Sequence, residues 1–247
     1  MYLTTRGLVI RVTKYNDTDA LLTVLTERDG KLTLKARGLY RKNSPLTAPC
    51  QLLAFSEFTL FEYRDQYSIN EARTIELFRG LRKDLSKLSL GTYFAQVAQV
   101  LSQEDMPNPE LLSLVLNCLY VLDKMDISER VVKAVFELRA ACLSGYSPEL
   151  HGCAKCNNPI PDRFHVFGGH LECAACRDNS DGGLRMPISP GALDGMRYIC
   201  NCDPKQLFSF QVGEPTAENL SQISEAYLSA QLEQGFSTLD FYKSLQM

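Results

Sequence analysis

Two cysteine pairs constrain this chain more than any other feature of its sequence. Residues 153–176 read CAKCNNPIPDRFHVFGGHLECAAC, so sixteen residues separate the pair Cys153 and Cys156 from the pair Cys173 and Cys176. This spacing is typical of a four-cysteine zinc site. The glycines at 168 and 169 predict a hairpin turn, which would bring the two pairs together. Four unrelated buried cysteines are the alternative interpretation.

A site with four thiolates predicts a structural metal, because the tetrahedral shell is closed and no position is left for water or substrate. His170 and Glu172 beside Cys173 resemble the His-x-Glu and Pro-Cys-x-x-Cys motifs of zinc deaminases. We reject that interpretation because Glu172 directly precedes Cys173 and no proline precedes the second pair. We therefore expect Zn²⁺ as a structural cofactor.

The rest of the chain carries no recognisable catalytic motif. It has no Walker loop, no Gly-x-Gly-x-x-Gly after a strand, no Gly-x-Ser-x-Gly and no His-Glu-x-x-His. The three histidines, His151, His165 and His170, lie in or beside the cysteine segment. The usual general base is therefore missing elsewhere. We expect a protein that is not an enzyme.

Composition favours a cytoplasmic location. The chain has nine cysteines, an odd number, which indicates a reducing compartment and not a disulfide scaffold. No apolar run is long enough for a membrane span. The N-terminal segment MYLTTRGLVIRVTKY lacks the apolar region of a secretory signal.

The spacing of apolar residues changes once along the chain. Up to about residue 80, short segments rich in Val, Leu, Thr and aromatic residues predict strands at 7–12, 20–26, 31–36, 52–63 and 67–70. Asp29-Gly30 predicts a hairpin between the second and third of them. Five short strands in this length fit a small barrel of the OB-fold type.

Beyond residue 80, apolar residues recur at steps of three and four, which predicts amphipathic helices. Helix starts are predicted at Asn108-Pro109, Ser128, Ser189-Pro190 and Thr216. We therefore expect an α+β multidomain protein. An OB-fold barrel would occupy 1–79, a helical domain 80–148 and 184–247, and a four-cysteine zinc module 149–183 would interrupt that helical domain.

Positive charge is concentrated near the N-terminus. Residues 1–45 hold nine Lys/Arg against four Asp/Glu, although the whole chain has a formal net charge of −3. Five candidate binding residues come from the segment KLTLKARGLYRKNS, and two more near the first strand would extend the same face: Lys35, Arg37, Tyr40, Arg41, Lys42, Arg11 and Lys14. On an OB-fold such cations neutralise phosphates while an aromatic ring stacks on a base. The alternatives are a solvated loop, or a barrel that docks proteins and not DNA.

Three segments together resemble the RecO family of recombination mediators. GLVIRVTKYNDTDALLTVLTERDGKLTLKARGLYRKNS is similar to the N-terminal barrel of that family, and FELRAACLSGYSPELHGCAKC to the helix that leads into its first cysteine pair. GFSTLDFYKSL resembles its C-terminal end. The matches follow the same order from one end of the chain to the other, which is more specific than any single motif.

The resemblance implies a bacterial DNA repair and recombination mediator without catalytic activity, located in the cytoplasm and associated with the nucleoid. Such a protein binds single- and double-stranded DNA and anneals strands. With RecR, it helps to load RecA onto DNA coated by the single-stranded-DNA-binding protein SSB. RecF and RecA would be further, indirect partners. By position, Lys35, Arg37, Arg41 and Lys42 match the basic loop of the family. Cys153, Cys156, Cys173 and Cys176 match its metal ligands.

The sequence departs from the family pattern at two places. The loop that is commonly Gly-Ala-Arg-Arg is here Gly38-Leu39-Tyr40-Arg41, so the charge is shifted along the loop. In some members, arginines ahead of a Phe-Glu pair bind the acidic tail of SSB. Ala134 and Val135 occupy those positions here, which leaves Lys133 and Arg139 as the candidate contacts for that tail.

Overall fold

The computed structural model describes residues 2–64, 66–176 and 183–246. The chain divides into two units, one of Met1–Met125 with Phe236–Met247 and one of Asp126–Gly235. The predicted α+β class is confirmed, since a closed barrel is followed by helices and by a four-cysteine segment. The domain boundaries predicted at 79, 148 and 184 stay a prediction.

A five-stranded closed barrel forms the N-terminal part of the first unit. Its strands are β1 (Tyr2–Lys14), β2 (Ala20–Thr26), β3 (Lys31–Ala36), β4 (Phe55–Tyr63) and β5 (Gln66–Glu76). They follow the order β1-β2-β3-β5-β4, with β4 returning to β1 and with β3 and β5 parallel. This connectivity is that of an OB-fold.

Alternation along the strands fills the barrel interior. In β2, Leu22 and Val24 point inward, and in β3 Leu32 and Leu34 do the same, all of them buried. The residues between them face outward, because side chains alternate across a strand. Gly30 ends the predicted turn between β2 and β3 with a φ of 68°, a conformation that glycine adopts without strain.

Three helices complete the first unit: α1 (Leu85–Leu101), α2 (Pro109–Lys124) and, near the C-terminus, the helix Ser237–Ser244. The Asp84 carboxylate caps α1 by accepting bonds from the N–H groups of Ser86 and Lys87, and Asn108 caps α2 at the predicted position. α1 and α2 pack on the barrel, and the C-terminal helix packs on α1.

The second unit contains α3 (Glu129–Leu143), α4 (Pro190–Asn201) and α5 (Glu214–Leu232). The helix Ser237–Ser244 of the first unit is therefore α6 in chain order. α3 packs against α4 and α5. Ser189 caps α4 as predicted. α5 begins before the predicted cap: Gly213 is its N-cap and Thr216 lies in its first turn, because the segment Glu214-Pro215 is already helical.

A small sheet carries the cysteine segment of the second unit. Its strands β6 (Glu149–Cys153), β7 (Arg163–His165), β8 (His170–Glu172) and β9 (Arg185–Pro187) lie in the order β6-β8-β7-β9. β7 and β8 form the hairpin predicted at the two glycines. In the ranges described, no helix is long and apolar enough to cross a membrane.

Candidate nucleic-acid interface and metal centre

Two of the predicted cations lie on the outer face of the barrel. Arg11 on β1 is opposite Thr23 on β2, which is opposite Thr33 on β3. Lys35 follows Thr33 by two residues and therefore points to the same side of the sheet. Arg11 and Lys35 thus share a face, two strands apart, which corresponds to roughly 10 Å across the sheet.

Tyr15 joins this face and was missed by sequence reasoning. The Lys35 ammonium lies 4.7 Å from the centroid of the Tyr15 ring, a cation–π distance. The Tyr15 side chain is 58% exposed, so the other side of its ring is open to solvent. Tyr15 directly follows β1, two residues after the exposed Thr13, and this spacing could have placed it on the outer face.

The β1–β2 turn holds the basic loop against the barrel. The Asp19 carboxylate accepts a 2.8 Å bond from the Gly38 N–H, and the Tyr40 N–H donates to the Thr18 carbonyl at 3.0 Å. Gly38 has a φ of 68°, which makes any other residue there strained. The hydrogen bond from Gly38, followed by one from Asn16, holds the pKa of Asp19 below its usual value.

The loop then presents its charged side chains to solvent. Arg37, Arg41 and Lys42 are exposed, and Tyr40 is 48% exposed. Within the part of the chain that the structure describes, no carboxylate forms a salt bridge with Arg11, Arg37, Arg41 or Lys42. Lys14 differs, because its ammonium lies 3.5 Å from the carboxylate of Asp17. Arg11, Arg37, Arg41 and Lys42 therefore offer positive charge that no salt bridge in the described ranges neutralises.

The four predicted ligands come together in the second unit. The sulfurs of Cys153, Cys156, Cys173 and Cys176 all lie within 4.8 Å of one another, and those of Cys156 and Cys173 are 3.8 Å apart. Four sulfurs around one zinc at Zn–S distances of about 2.3 Å are separated by about 3.8 Å. The donor set and its spacing therefore fit a tetrahedral metal ion.

Backbone and amide N–H groups point at these sulfurs. The Cys173 N–H donates to the Cys153 sulfur at 3.4 Å, and the Asn158 side-chain amide donates to the Cys173 sulfur at 3.2 Å. Although desolvation opposes it, bonds from the N–H groups of Cys156, Lys155 and Cys173 lower the pKa of Cys153 to about 6. Such groups favour the thiolate, which is the form that binds a metal.

The sharp turn after Cys153 depends on a close backbone approach. The Cys153 N–H donates to the Asn158 carbonyl at 2.9 Å, and a Cβ on Gly152 would lie 2.9 Å from that same oxygen. Glycine is therefore required at 152 for the chain to fold back on itself. The four cysteines can hold a metal ion without leaving an open coordination position.

His165 and His170 stack on each other in the β7–β8 hairpin. Their rings lie 4.8 Å apart and nearly parallel, and His170 Nε2 is 3.2 Å from the Glu172 carboxylate. That carboxylate also accepts a 2.7 Å bond from Arg185. His165 is buried and His170 half-buried, so these side chains are packed parts of the small sheet.

Lys133, one of the two predicted contacts for a partner's acidic tail, is buried inside the second unit. Its side chain is 2% exposed, and its ammonium contacts the carboxylates of Glu137 at 3.0 Å and Glu225 at 2.8 Å. It also donates to the Ser221 carbonyl at 3.1 Å. The Lys133 ammonium is thus paired inside the second unit, and a tail contact at Lys133 stays a prediction. Arg139 is part-buried and donates to the carbonyls of Ile199 and Cys200.

The chain combines a closed OB-fold barrel that has a basic outer face with helices and a four-cysteine cluster. It therefore belongs to the class of OB-fold proteins that carry a four-cysteine module. Residues 1–78 match the family described as Recombination protein O N terminal, and residues 82–240 match Recombination protein O C terminal. This chain belongs to the RecO family.

Individual relatives match along nearly the whole chain. A protein of Acetivibrio thermocellus named DNA repair protein RecO is 35% identical over 246 residues, which cover 99% of this chain and 97% of the relative. Its namesake in Alkaliphilus metalliredigens is 27% identical over 248 residues, with 99% and 100% covered. The one in Rubrobacter xylanophilus is 30% identical over 197 residues, with 78% and 79% covered.

Proposed function

We propose that this protein is a non-catalytic DNA repair and recombination mediator that binds DNA through the outer face of its barrel. The observation that carries this proposal is the group of exposed cations at Arg11, Arg37, Arg41 and Lys42, which no carboxylate in the described ranges neutralises. The relatives named DNA repair protein RecO support the same biological role.

The chemistry of the face suits a single strand. Guanidinium and ammonium groups neutralise phosphates and release counterions, which supplies most of the affinity. Tyr15 and Tyr40 offer exposed rings on which bases stack, worth roughly 1–3 kcal/mol per base. Because neither contact reads a base edge, we expect little sequence preference. Double-stranded DNA would bind through the phosphate contacts alone.

Within the mediator role, the protein would anneal complementary strands and act with RecR to load RecA onto SSB-coated DNA. RecF would take part indirectly, and the protein would work in the cytoplasm on the chromosome. Because Lys133 is buried, a contact with the SSB tail would use other residues. These assignments rest on family membership and not on a surface of this chain.

The metal that we propose for the four cysteines is Zn²⁺ in a structural role. Thiolate ligands select zinc among the common divalent ions, and four of them close its shell. Cys153 and Cys173 belong to or adjoin the strands β6 and β8, so a bound ion ties two elements of the small sheet together. The binding free energy would then contribute directly to folding.

The test compares single-strand binding of wild type with the variant Arg37→Glu/Arg41→Glu/Lys42→Glu, by anisotropy of a labelled oligonucleotide. We expect loss of binding by at least tenfold at low salt, because three phosphate contacts become repulsive. The matched control is Arg28→Glu/Arg79→Glu/Lys83→Glu, which changes the net charge equally on other exposed residues of the same unit. Equal loss in both variants would mean that net charge, and not this face, governs binding.

A protein-docking role is the second candidate. The exposed rings of Tyr2 and Phe61 lie 5.4 Å apart on β1 and β4, and exposed aromatic pairs are common at protein interfaces. Under this function, wild type would bind no oligonucleotide even at low salt. The charge-reversal variant would then behave as wild type does.

A further inference from the structure

The segment that carries the first cysteine pair is tied to α4 by one side chain. Arg197 on α4 donates from Nε to the Leu150 carbonyl at 2.8 Å. Its Nη2 atom donates to the His151 carbonyl at 3.2 Å and to the Pro159 carbonyl at 3.0 Å. The guanidinium therefore contacts the backbone both before and after the first cysteine pair.

The arrangement of these bonds suits an arginine. The acceptors belong to two separate stretches of backbone, and a planar guanidinium can bond to both because its donors point outward from a rigid fork. Nη1 of Arg197 lies 3.5 Å from the Asp194 carboxylate on the same helix. Because α4 packs against α3 and α5, Arg197 joins the cysteine segment to the helices of the second unit.

Between the carbonyls that Arg197 contacts, the chain folds back on itself. The Asn158 carbonyl accepts a 2.9 Å bond from the Cys153 N–H, and the Asn158 side-chain amide donates to the Cys173 sulfur at 3.2 Å. Asn158 directly precedes Pro159, whose carbonyl accepts the bond from Arg197. A contact that fixes Pro159 therefore also restrains Asn158, the residue that bonds to both cysteine pairs.

We propose that Arg197 is a positioning residue of the metal site, which holds the first cysteine pair where its sulfurs meet those of the second pair. The inference rests on the Zn²⁺ proposed for the four cysteines. Arg197 does not bind the ion, since its contacts are to backbone carbonyls and to Asp194. It acts by restraining the ligands before the ion binds, so that less conformational freedom is lost on binding.

The test measures the affinity of the reduced full-length protein for Zn²⁺ by competition with a chromophoric chelator. We expect the dissociation constant to rise by about 10–100-fold in Arg197→Gln, the usual effect of removing a group that orients metal ligands. Arg139→Gln is the matched control. Arg139 is also part-buried and donates to backbone carbonyls of the same unit, but to those of Ile199 and Cys200. It should bind Zn²⁺ as wild type does.

A second readout separates positioning of the ligands from general support of the fold. An ion that binds only the folded protein raises the melting temperature by an amount that grows with its affinity. We expect the rise on addition of Zn²⁺ to be smaller in Arg197→Gln than in wild type and in Arg139→Gln. A purely structural contact would instead lower the melting temperature equally with and without Zn²⁺, and that result would overturn the proposal.

Arg197→Lys is the second variant, and it decides the question if Arg197→Gln does not fold. Lysine keeps the positive charge but presents a single nitrogen, which cannot bond to both stretches of backbone in the way a guanidinium does. It should also bind Zn²⁺ more weakly than wild type, and wild-type affinity in the folded Arg197→Lys protein would overturn the proposal. The absorption of bound Co²⁺ tests the metal site itself. If wild type shows no thiolate-to-cobalt bands, the proposed metal site fails and this inference fails with it.

Discussion

At the scale of single residues, Asp19 organises the basic face without carrying positive charge itself. Its carboxylate accepts the Gly38 N–H and so fixes the start of the loop that presents Arg37, Arg41 and Lys42. It is also within hydrogen-bonding distance of Asn16 and Thr18. A negative side chain thus positions the cations that would meet a negative ligand.

We expect Asp19→Asn to lower the melting temperature at neutral pH and to lose this effect in acid. The pKa of Asp19 is below its usual value in the folded protein, so its stabilising contribution is present above the unfolded pKa of about 4. It is lost as the pH falls through the folded pKa. Thermal melts between pH 3 and pH 7 measure the difference between the two proteins.

Asp17→Asn is the control in the same turn. Asp17 is fully exposed and contacts only Lys14, at 3.5 Å, among the interactions identified in the described residues, and such pairs contribute little. A pH-dependent gap of the same size for Asp17 would contradict the role assigned to Asp19.

The burial of Lys133 could not be predicted from the sequence. The residues near Lys133 in the chain did not indicate that Ser221 and Glu225, both far away in sequence, surround its ammonium. The Glu137 carboxylate beside it is fully buried, and desolvation raises its pKa while Lys133 opposes that rise. This network joins α3 to α5 in the interior of the second unit.

Removal of Lys133 should be costly. We expect Lys133→Met to reduce the free energy of unfolding by about 3–5 kcal/mol, because the Glu137 carboxylate would stay buried without its cation. Chemical denaturation monitored by circular dichroism measures the change. Lys133→Met/Glu137→Leu should recover much of the loss. If the double variant is no more stable than the single one, the buried carboxylate is not the cause.

At the scale of elements, the cysteine module shows what spacing can and cannot predict. Two Cys-x-x-Cys pairs and two glycines were enough to predict the cluster and its hairpin, because ligand spacing and turn chemistry are local. The N–H donors to the sulfurs, such as Asn158, were not predictable, since they depend on how the turn folds back. The need for glycine at 152 was not predictable either, because it depends on the approach of the Asn158 carbonyl.

We expect Cys153→Ser to lower the melting temperature of the metal-loaded protein by several degrees, because metal binding at such a site contributes to folding. Differential scanning fluorimetry with zinc analysis of the same samples measures both quantities. Cys202→Ser serves as the control, since Cys202 lies outside the cluster. A Cys153→Ser protein that loses its metal and still melts as wild type does would contradict a structural role.

Strand and helix limits were predictable where local signals were strong. β2 and β3 match the predicted limits, because alternation and the Asp29-Gly30 turn agree. β5 extends to Glu76, six residues beyond its prediction, because its second half alternates charged with partly buried residues and lacks an apolar run. β4 begins at Phe55 and not at residue 52, since Leu53 adopts a positive φ in the preceding turn.

At the scale of the whole molecule, charge separates the N-terminal segment from the rest of the chain. The excess of cations within the first 45 residues falls on one barrel, although the full chain is acidic with a net charge of −3. Sequence predicted which residues are basic, and the barrel register showed that Arg11 and Lys35 share a face. Composition alone could not show that, within the described ranges, no carboxylate forms a salt bridge with Arg11, Arg37, Arg41 or Lys42.

DNA binding by the barrel face is tested most directly by the salt dependence of single-strand binding. The two proteins compared are wild type and Arg37→Gln/Arg41→Gln/Lys42→Gln. Each phosphate contact contributes about 0.7 to the slope of log affinity against log salt concentration. We expect a steep slope for wild type and a slope lower by about 2 for the variant, since three contacts are removed. Equal slopes for wild type and the folded variant would contradict the claim that the barrel face binds the DNA backbone.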